Sequence, residues 1–226
     1  MRRGILLAIL AVCLVGAGVD VFWPLQRDLR RFDPVALGTL ETTMWQSYYG
    51  RQRMALFSEL AEMLRTQYQF PWLRSYLGAY HGAAAAFTFK EGKQRSDYQK
   101  ALPALQAYFG LIRNTGNIGF DAQRAAALEL EWWIVHRERD RYPSGALGQA
   151  CAEAAATVYQ VPVNSTLQHG QLRAEAMIIR DTRAEVGEVT EADWTAIASL
   201  LRQSYQALHS AVSGTSIMPA PVQAPR

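Results

Sequence analysis

Apolar positions along this chain form one continuous block and then a succession of helical stripes. The block, residues 4–23, reads GILLAILAVCLVGAGVDVFW and carries a single charge, Asp20, near its end. About 20 such residues at 1.5 Å rise match a bilayer core of about 30 Å, which predicts a transmembrane anchor. Ile5, Leu10 and Leu14 would face lipid, and Trp23 stands where indoles collect at the membrane interface. Pro24 stops the helix. A cleaved signal peptide opens in the same way, with Arg2 and Arg3 ahead of an apolar run and the small Gly16 and Gly18 before a cleavage point. Val12 is too large for a lipoprotein signal at Cys13, and a retained anchor is the reading carried forward. Arg2 and Arg3 directly abut the apolar run and favour a cytoplasmic start with an exported domain, although Arg27, Arg30 and Arg31 follow on the other side.

Beyond a short connector, residues 24–33, the spacing of three to four between apolar positions predicts helices throughout residues 34–213. Asp33-Pro34 is a helix start, with Phe32 placed to staple onto Leu37. Leu37, Leu40, Met44, Tyr48, Leu56, Leu60 and Leu64 predict one helix over 34–69, limited by Pro71. Helices follow over 72–90, 96–113, 122–140, 146–159, 165–186 and 190–212. They are separated by Gly, Pro and Asn breakers and opened by Ser96, Asp121, Ser165 and Thr190. Residues 214–226 are Pro-rich and predict a disordered tail. No alternating β-branched run occurs, so the expectation is an all-α antiparallel array of about seven helices behind one anchor.

Charge sharpens this picture. Lys and Arg total 23 and Asp and Glu total 20, but residues 1–31 hold five Arg and two Asp, leaving 18 of each sign in residues 32–226. A formally neutral folded part lacks the basic stripe that nucleic-acid binding needs. Cys13 in the apolar block and Cys151 on an Ala-rich helix form no disulfide framework, and Cys151 reads as a small core residue.

The stretch 129–140 concentrates the candidate chemistry. Trp132, Trp133, Ile134 and Val135 predict a largely buried helix, which carries Glu129, Glu131 and His136 with it. A buried carboxylate needs a partner, and Arg180, within the apolar run 176–179, is the leading candidate beside Arg183, Arg124 and His136. Glu41 and Glu175 add acids inside apolar patterns. The expectation is a buried polar network of Glu41, Glu129, Glu131, His136, Glu175 and Arg180. Its sharper version is a metal or acid–base site using Glu129, Glu131, His136 and Glu175. Helical-bundle di-metal sites want Glu-x-x-His twice, and the chain has none. His-Glu-x-x-His, Cys-x-x-Cys-His, phosphate loops and nucleophile elbows are equally missing, so no cofactor is expected.

Ala85, Phe89, Lys90, Glu91 and Gly92, followed by Asp97, Tyr98, Ala101 and Tyr108, resemble a tetratricopeptide hairpin with an insertion in its turn. Leu147, Ala150, Ala154 and Pro162 resemble the second half of another. The resemblance covers about a third of the chain, departs at several consensus positions, and implies helical-repeat packing. The function expected is that of a membrane-anchored binding or assembly protein, an accessory subunit with lipid and a protein as partners. The runner-up is a membrane-tethered metal- or cofactor-dependent helical enzyme.

Overall fold

The computed structural model describes residues 2–214 and is all-α. The expected Pro-rich tail lies outside the described residues apart from Gly214. Helix α1, Arg2–Phe22, comes first. Its segment Ile5–Phe22 has a mean hydropathy of 2.6 and none of it is buried in the protein, so it is long and apolar enough to cross a membrane. Ile5, Leu10 and Leu14 are all more than half exposed, as is Trp23 just past the helix end.

The connector is threaded into the domain rather than hanging outside it. Leu29 and Phe32 are buried, each worth about 2 kcal/mol of apolar burial. Arg27 pairs with the backbone of residues 115–117: its N–H donates to the Thr115 carbonyl at 2.8 Å, and Asn117 N–H donates to its carbonyl at 2.9 Å. This isolated bridge is the β pairing found among the described residues. It requires Gly116, where an added Cβ would lie 2.5 Å from a Leu29 methyl.

Asp33 caps α2, Pro34–Tyr49, accepting from the N–H groups of Val35 and Ala36. The helix expected over 34–69 breaks at residues 50–52. Gly50 ends α2 and Arg51 takes a left-handed φ of 59° before α3, Arg53–Thr66, begins. Leucines and tyrosines keep their spacing across the break, but glycine costs a helix about 1 kcal/mol, and a tertiary turn wins there. Helix α4, Trp72–Glu91, is followed by a single turn, α5, Arg95–Tyr98, and then by α6, Leu102–Thr115. A 3-10 turn, Gln99–Ala101, joins α5 directly to α6, so the expected helix over 96–113 is present with a tightened turn in it, while Ser96 lies inside the first turn and caps nothing. Asp121 caps α7, Ala122–Arg137. Helix α8 is Ala146–Tyr159; α9, Val163–Val186, starts two residues before the expected Ser165. Thr190 and Asp193 form a capping box on α10, Glu191–Ser213.

Packing runs in sequence order. Helix α2 packs on α3, α3 on α4, α4 on α6, α6 on α7, α7 on α8, α8 on α9 and α9 on α10; α10 then returns to α2. Small residues make the tightest of these contacts. A Cβ on Gly170 of α9 would lie 2.1 Å from the Gly148 carbonyl of α8, and one on Gly38 of α2 would lie 2.7 Å from the Arg202 backbone of α10. Neighbour-on-neighbour packing is the habit of helical repeats, but the α10–α2 contact closes the array where an open repeat would continue. In an idealised ring, eight axes about 9 Å apart stand about 12 Å from the centre, so backbone begins about 9 Å out. That exceeds the reach of even an indole ring, and a closed array therefore needs large side chains in its middle or retains a cavity there.

Helix α1 is latched to this ring. The Asp20 carboxylate accepts from the first N–H groups of α4, Leu73 at 3.3 Å and Arg74 at 3.1 Å, and so caps a helix from another element. Arg74, only 2% exposed, returns the contact by donating Nε to the Asp20 carbonyl at 2.9 Å and Nη2 to the Trp23 carbonyl at 2.8 Å. The single charge of the apolar block is thus the joint between α1 and the domain.

Candidate functional site: a cavity among the helices

A cavity of about 330 Å³ lies inside the ring, and all eight long domain helices contribute to its wall. Much of the wall is apolar, but its aromatic residues carry polar atoms: Trp45, Trp132, Trp133, Tyr68, Tyr108, Tyr159 and Tyr205. Glu129, Arg173, Tyr68, Tyr108 and Tyr205 keep accessible surface although protein encloses them, because the surface they expose is the cavity wall.

Glu41 of α2 and Arg173 of α9 form the centre of its electrostatics. Arg173 Nε donates to Glu41 Oε1 at 3.1 Å and Nη2 bonds the same oxygen. Trp45 Nε1 donates to it as well, at 3.1 Å. The Arg173 guanidinium also lies 4.5 Å from the Trp132 ring centroid, a cation–π contact. Burial works against the Arg173 charge, but Glu41 and its neighbours outweigh burial and hold the pKa above its ordinary value. Glu129 of α7 accepts from Trp133 Nε1 at 3.1 Å. Burial raises its pKa, while Arg173 nearby pulls the other way.

Around these charges the polar groups are neutral. The Tyr68 and Tyr159 hydroxyls meet at 3.2 Å, and burial pushes the Tyr68 phenol to about 12 and the phenols of Tyr108, Tyr159 and Tyr205 upward too. His169 Nδ1 meets Ser204 Oγ at 2.7 Å and the Ser204 carbonyl at 3.1 Å, while Ser204 Oγ also bonds the His169 carbonyl at 2.9 Å. Burial, aided by Arg173, brings His169 down to about 4, so it is uncharged at neutral pH. Among the described residues of the wall, Glu41 Oε2 and Trp132 Nε1 are buried with no hydrogen bond of normal geometry, although the Tyr205 hydroxyl lies near Glu41 and the Trp132 indole near Glu129.

The network expected from sequence divides in two. Glu41 and Glu129 reach the cavity. Glu131, two positions on, turns about 200° around α7 and pairs at the surface with Arg95 at 2.5 Å. Glu175 is exposed on α9. His136 lines the cavity but bonds outward, with Nε2 2.9 Å from Asp181, which also pairs with Arg139 and Arg180 at 2.9 Å. Arg180 is therefore not the partner of Glu41 or Glu129; it lies over the Tyr49 ring and bonds its chain neighbour. Arg183 pairs with Asp193. Among the described residues no group of three or more His, Cys, Asp or Glu side chains is placed to hold a metal ion. Cys151 is buried and its thiol is pushed up to about 12, which leaves no thiolate for chemistry.

Arg173, His169 and the four tyrosines escape a motif search. Their sequence signal is a spacing of four, His169–Arg173–Met177, on a helix whose Ala174, Ala176 and Met177 are core. That spacing places a guanidinium on the buried face of α9. What the arrangement can do is hold a molecule: it offers walls, hydrogen-bonding groups and a charge pair, but no activated nucleophile. Comparison with family models, with curated proteins and with solved structures finds no match for this chain.

Proposed function

We propose that the chain is a membrane-tethered helical binding protein whose domain takes a small molecule into the cavity between its helices. The single observation that carries this reading is the cavity itself, built by all eight domain helices and furnished with buried polar atoms that lack a hydrogen bond of normal geometry. Volumes of about 300 Å³ and above, largely apolar with few convergent polar groups, are those of ligand sites. The apolar α1, its charge-sparing composition and the Asp20–Arg74 latch support a single-pass anchor that holds the domain at a fixed attitude to a bilayer. The basic Arg2 and Arg3 beside the apolar run favour the exported side for the domain.

The test uses the full chain in detergent and a variant that plugs the cavity, Ala86→Leu, since Ala86 forms part of the wall. Small aromatic probes at saturating concentration should raise the thermal midpoint of the natural chain and leave the plugged variant unmoved. Equal shifts in both chains, or none in either, would sink the reading.

A role in assembly is favoured by a separate observation. The outer face of α4 exposes Trp72, Leu73, Leu77 and Tyr80 beside the end of α1. Trp and Tyr are enriched in interface hot spots. A subunit using this face should co-purify with a stoichiometric partner in mild detergent and lose it on Trp72→Ala with Tyr80→Ala. A monodisperse single chain before any mutation would count against it.

A further inference from the structure

Resting on the reading of the cavity as a binding site, we propose that its ligand is an organic monocation with an apolar body, seated against the Glu129 carboxylate. The argument is a charge inventory of the wall. Apart from tyrosines, the acids and bases that line it are Glu41, Glu129, His136, His169 and Arg173. Arg173 is committed to Glu41 through two of its nitrogens. His136 is committed to Asp181 on the outer side of α7. His169 is neutral, fixed between the Ser204 hydroxyl and carbonyl. Glu129 has the indole N–H of Trp133, the Trp132 indole close by and the Arg173 charge near it, but among the described residues no ammonium or guanidinium bonded to it. With Glu41 and Arg173 cancelling, Glu129 is the acid of the wall whose charge has no cation bonded to it among the described residues; burial raises its pKa, and a bound cation would supply the partner that holds it ionised.

The surroundings of Glu129 suit a cation better than a neutral donor. Trp132 and Trp133 stand on the same helix, and Tyr108 is close enough for the Glu129 charge to act on its phenol. Aromatic faces around a carboxylate are the chemistry that recognises ammonium groups. The wall already holds one cation this way, Arg173 over Trp132. Glu41 Oε2, buried and without a hydrogen bond of normal geometry, adds a second acceptor to the same wall. An anion would have to compete with Glu41 for the Arg173 guanidinium, which gives two of its nitrogens to that carboxylate.

Three probes of similar bulk separate the possibilities on the full-length natural chain, with Ala86→Leu as the control for partition into detergent. They are benzyltrimethylammonium, its uncharged carbon isostere neopentylbenzene, and phenylacetate. The cation should bind at least about ten-fold more tightly than the isostere, with phenylacetate weakest. Glu129→Gln should remove about ten-fold of the cation's affinity and leave that of the isostere unchanged. Should the variant fail to fold, the ranking of the three probes on the natural chain decides alone. Equal binding of cation and isostere, or preference for phenylacetate, overturns the proposed charge while leaving the cavity as a binding site. Binding of none of the three above the plugged control overturns both readings.

Discussion

Replacing Arg173 with Met tests the electrostatic centre of the domain. The substitution keeps the length and apolar stem of the side chain and removes the guanidinium. It strands Glu41, which is 3% exposed and would retain the Trp45 indole N–H as its donor. Breaking a buried ion pair from one side costs about 3–5 kcal/mol. Here the low end applies, because the adjoining cavity admits water to the stranded carboxylate, and the lost contact with Trp132 adds about 1 kcal/mol. The expected cost is therefore about 4 kcal/mol, a large part of the stability of an ordinary domain. Adding Glu41→Gln removes the stranded charge while keeping an acceptor for Trp45, so the double variant should recover about 2 kcal/mol. Urea unfolding of the four chains in one detergent, followed by tryptophan fluorescence, gives the cycle directly. A cost below about 1 kcal/mol for Arg173→Met, or a double variant no more stable than the single, would refute a buried and coupled pair.

Other perturbations read other parts of the structure. His169 has a folded pKa of about 4, below its ordinary value of about 6.5, so the folded state resists protonation. The stability it contributes is complete above pH about 6.5 and is lost as the pH falls towards 4, by about 3 kcal/mol. Urea midpoints of the natural chain and His169→Gln, compared at pH 7 and pH 4.5, should converge on acidification; parallel loss in both chains would assign the effect elsewhere. Gly170→Ala places a methyl 2.1 Å from the Gly148 carbonyl, a clash with backbone that only separation of α8 and α9 relieves. A loss of about 3 kcal/mol is expected, and a neutral result would show that the two helices are not so closely packed. Asp20→Asn removes the charged cap of α4 and should cost about 1 kcal/mol while broadening the distance distribution between spin labels on α1 and α4. An unchanged distribution would mean that Asp20 does not fix the anchor's attitude.

Local signals decided a good deal from the sequence alone. An unbroken apolar block, Asp33-Pro34, Asp121 and the Thr190–Asp193 box act over a few residues through backbone sterics and capping, and each element they predict is present. The break at residues 50–52 escaped the same reading because glycine in an otherwise periodic run is a small local penalty, and tertiary packing determines whether the helix bends there. The candidate site was half legible. Trp132 and Trp133 announced a buried face and brought Glu129 with it, whereas Glu131 and Glu175 look equivalent in the string and are turned outward by the 100° per residue of a helix. The pairing of Glu41 with Arg173 spans 132 positions. It exists because α10 packs on both α2 and α9 and brings their side chains within reach of one another. Periodicity fixes which face of each helix is buried, but the partner across the core, and the space left where eight such faces meet, follow only from how the helices close on one another.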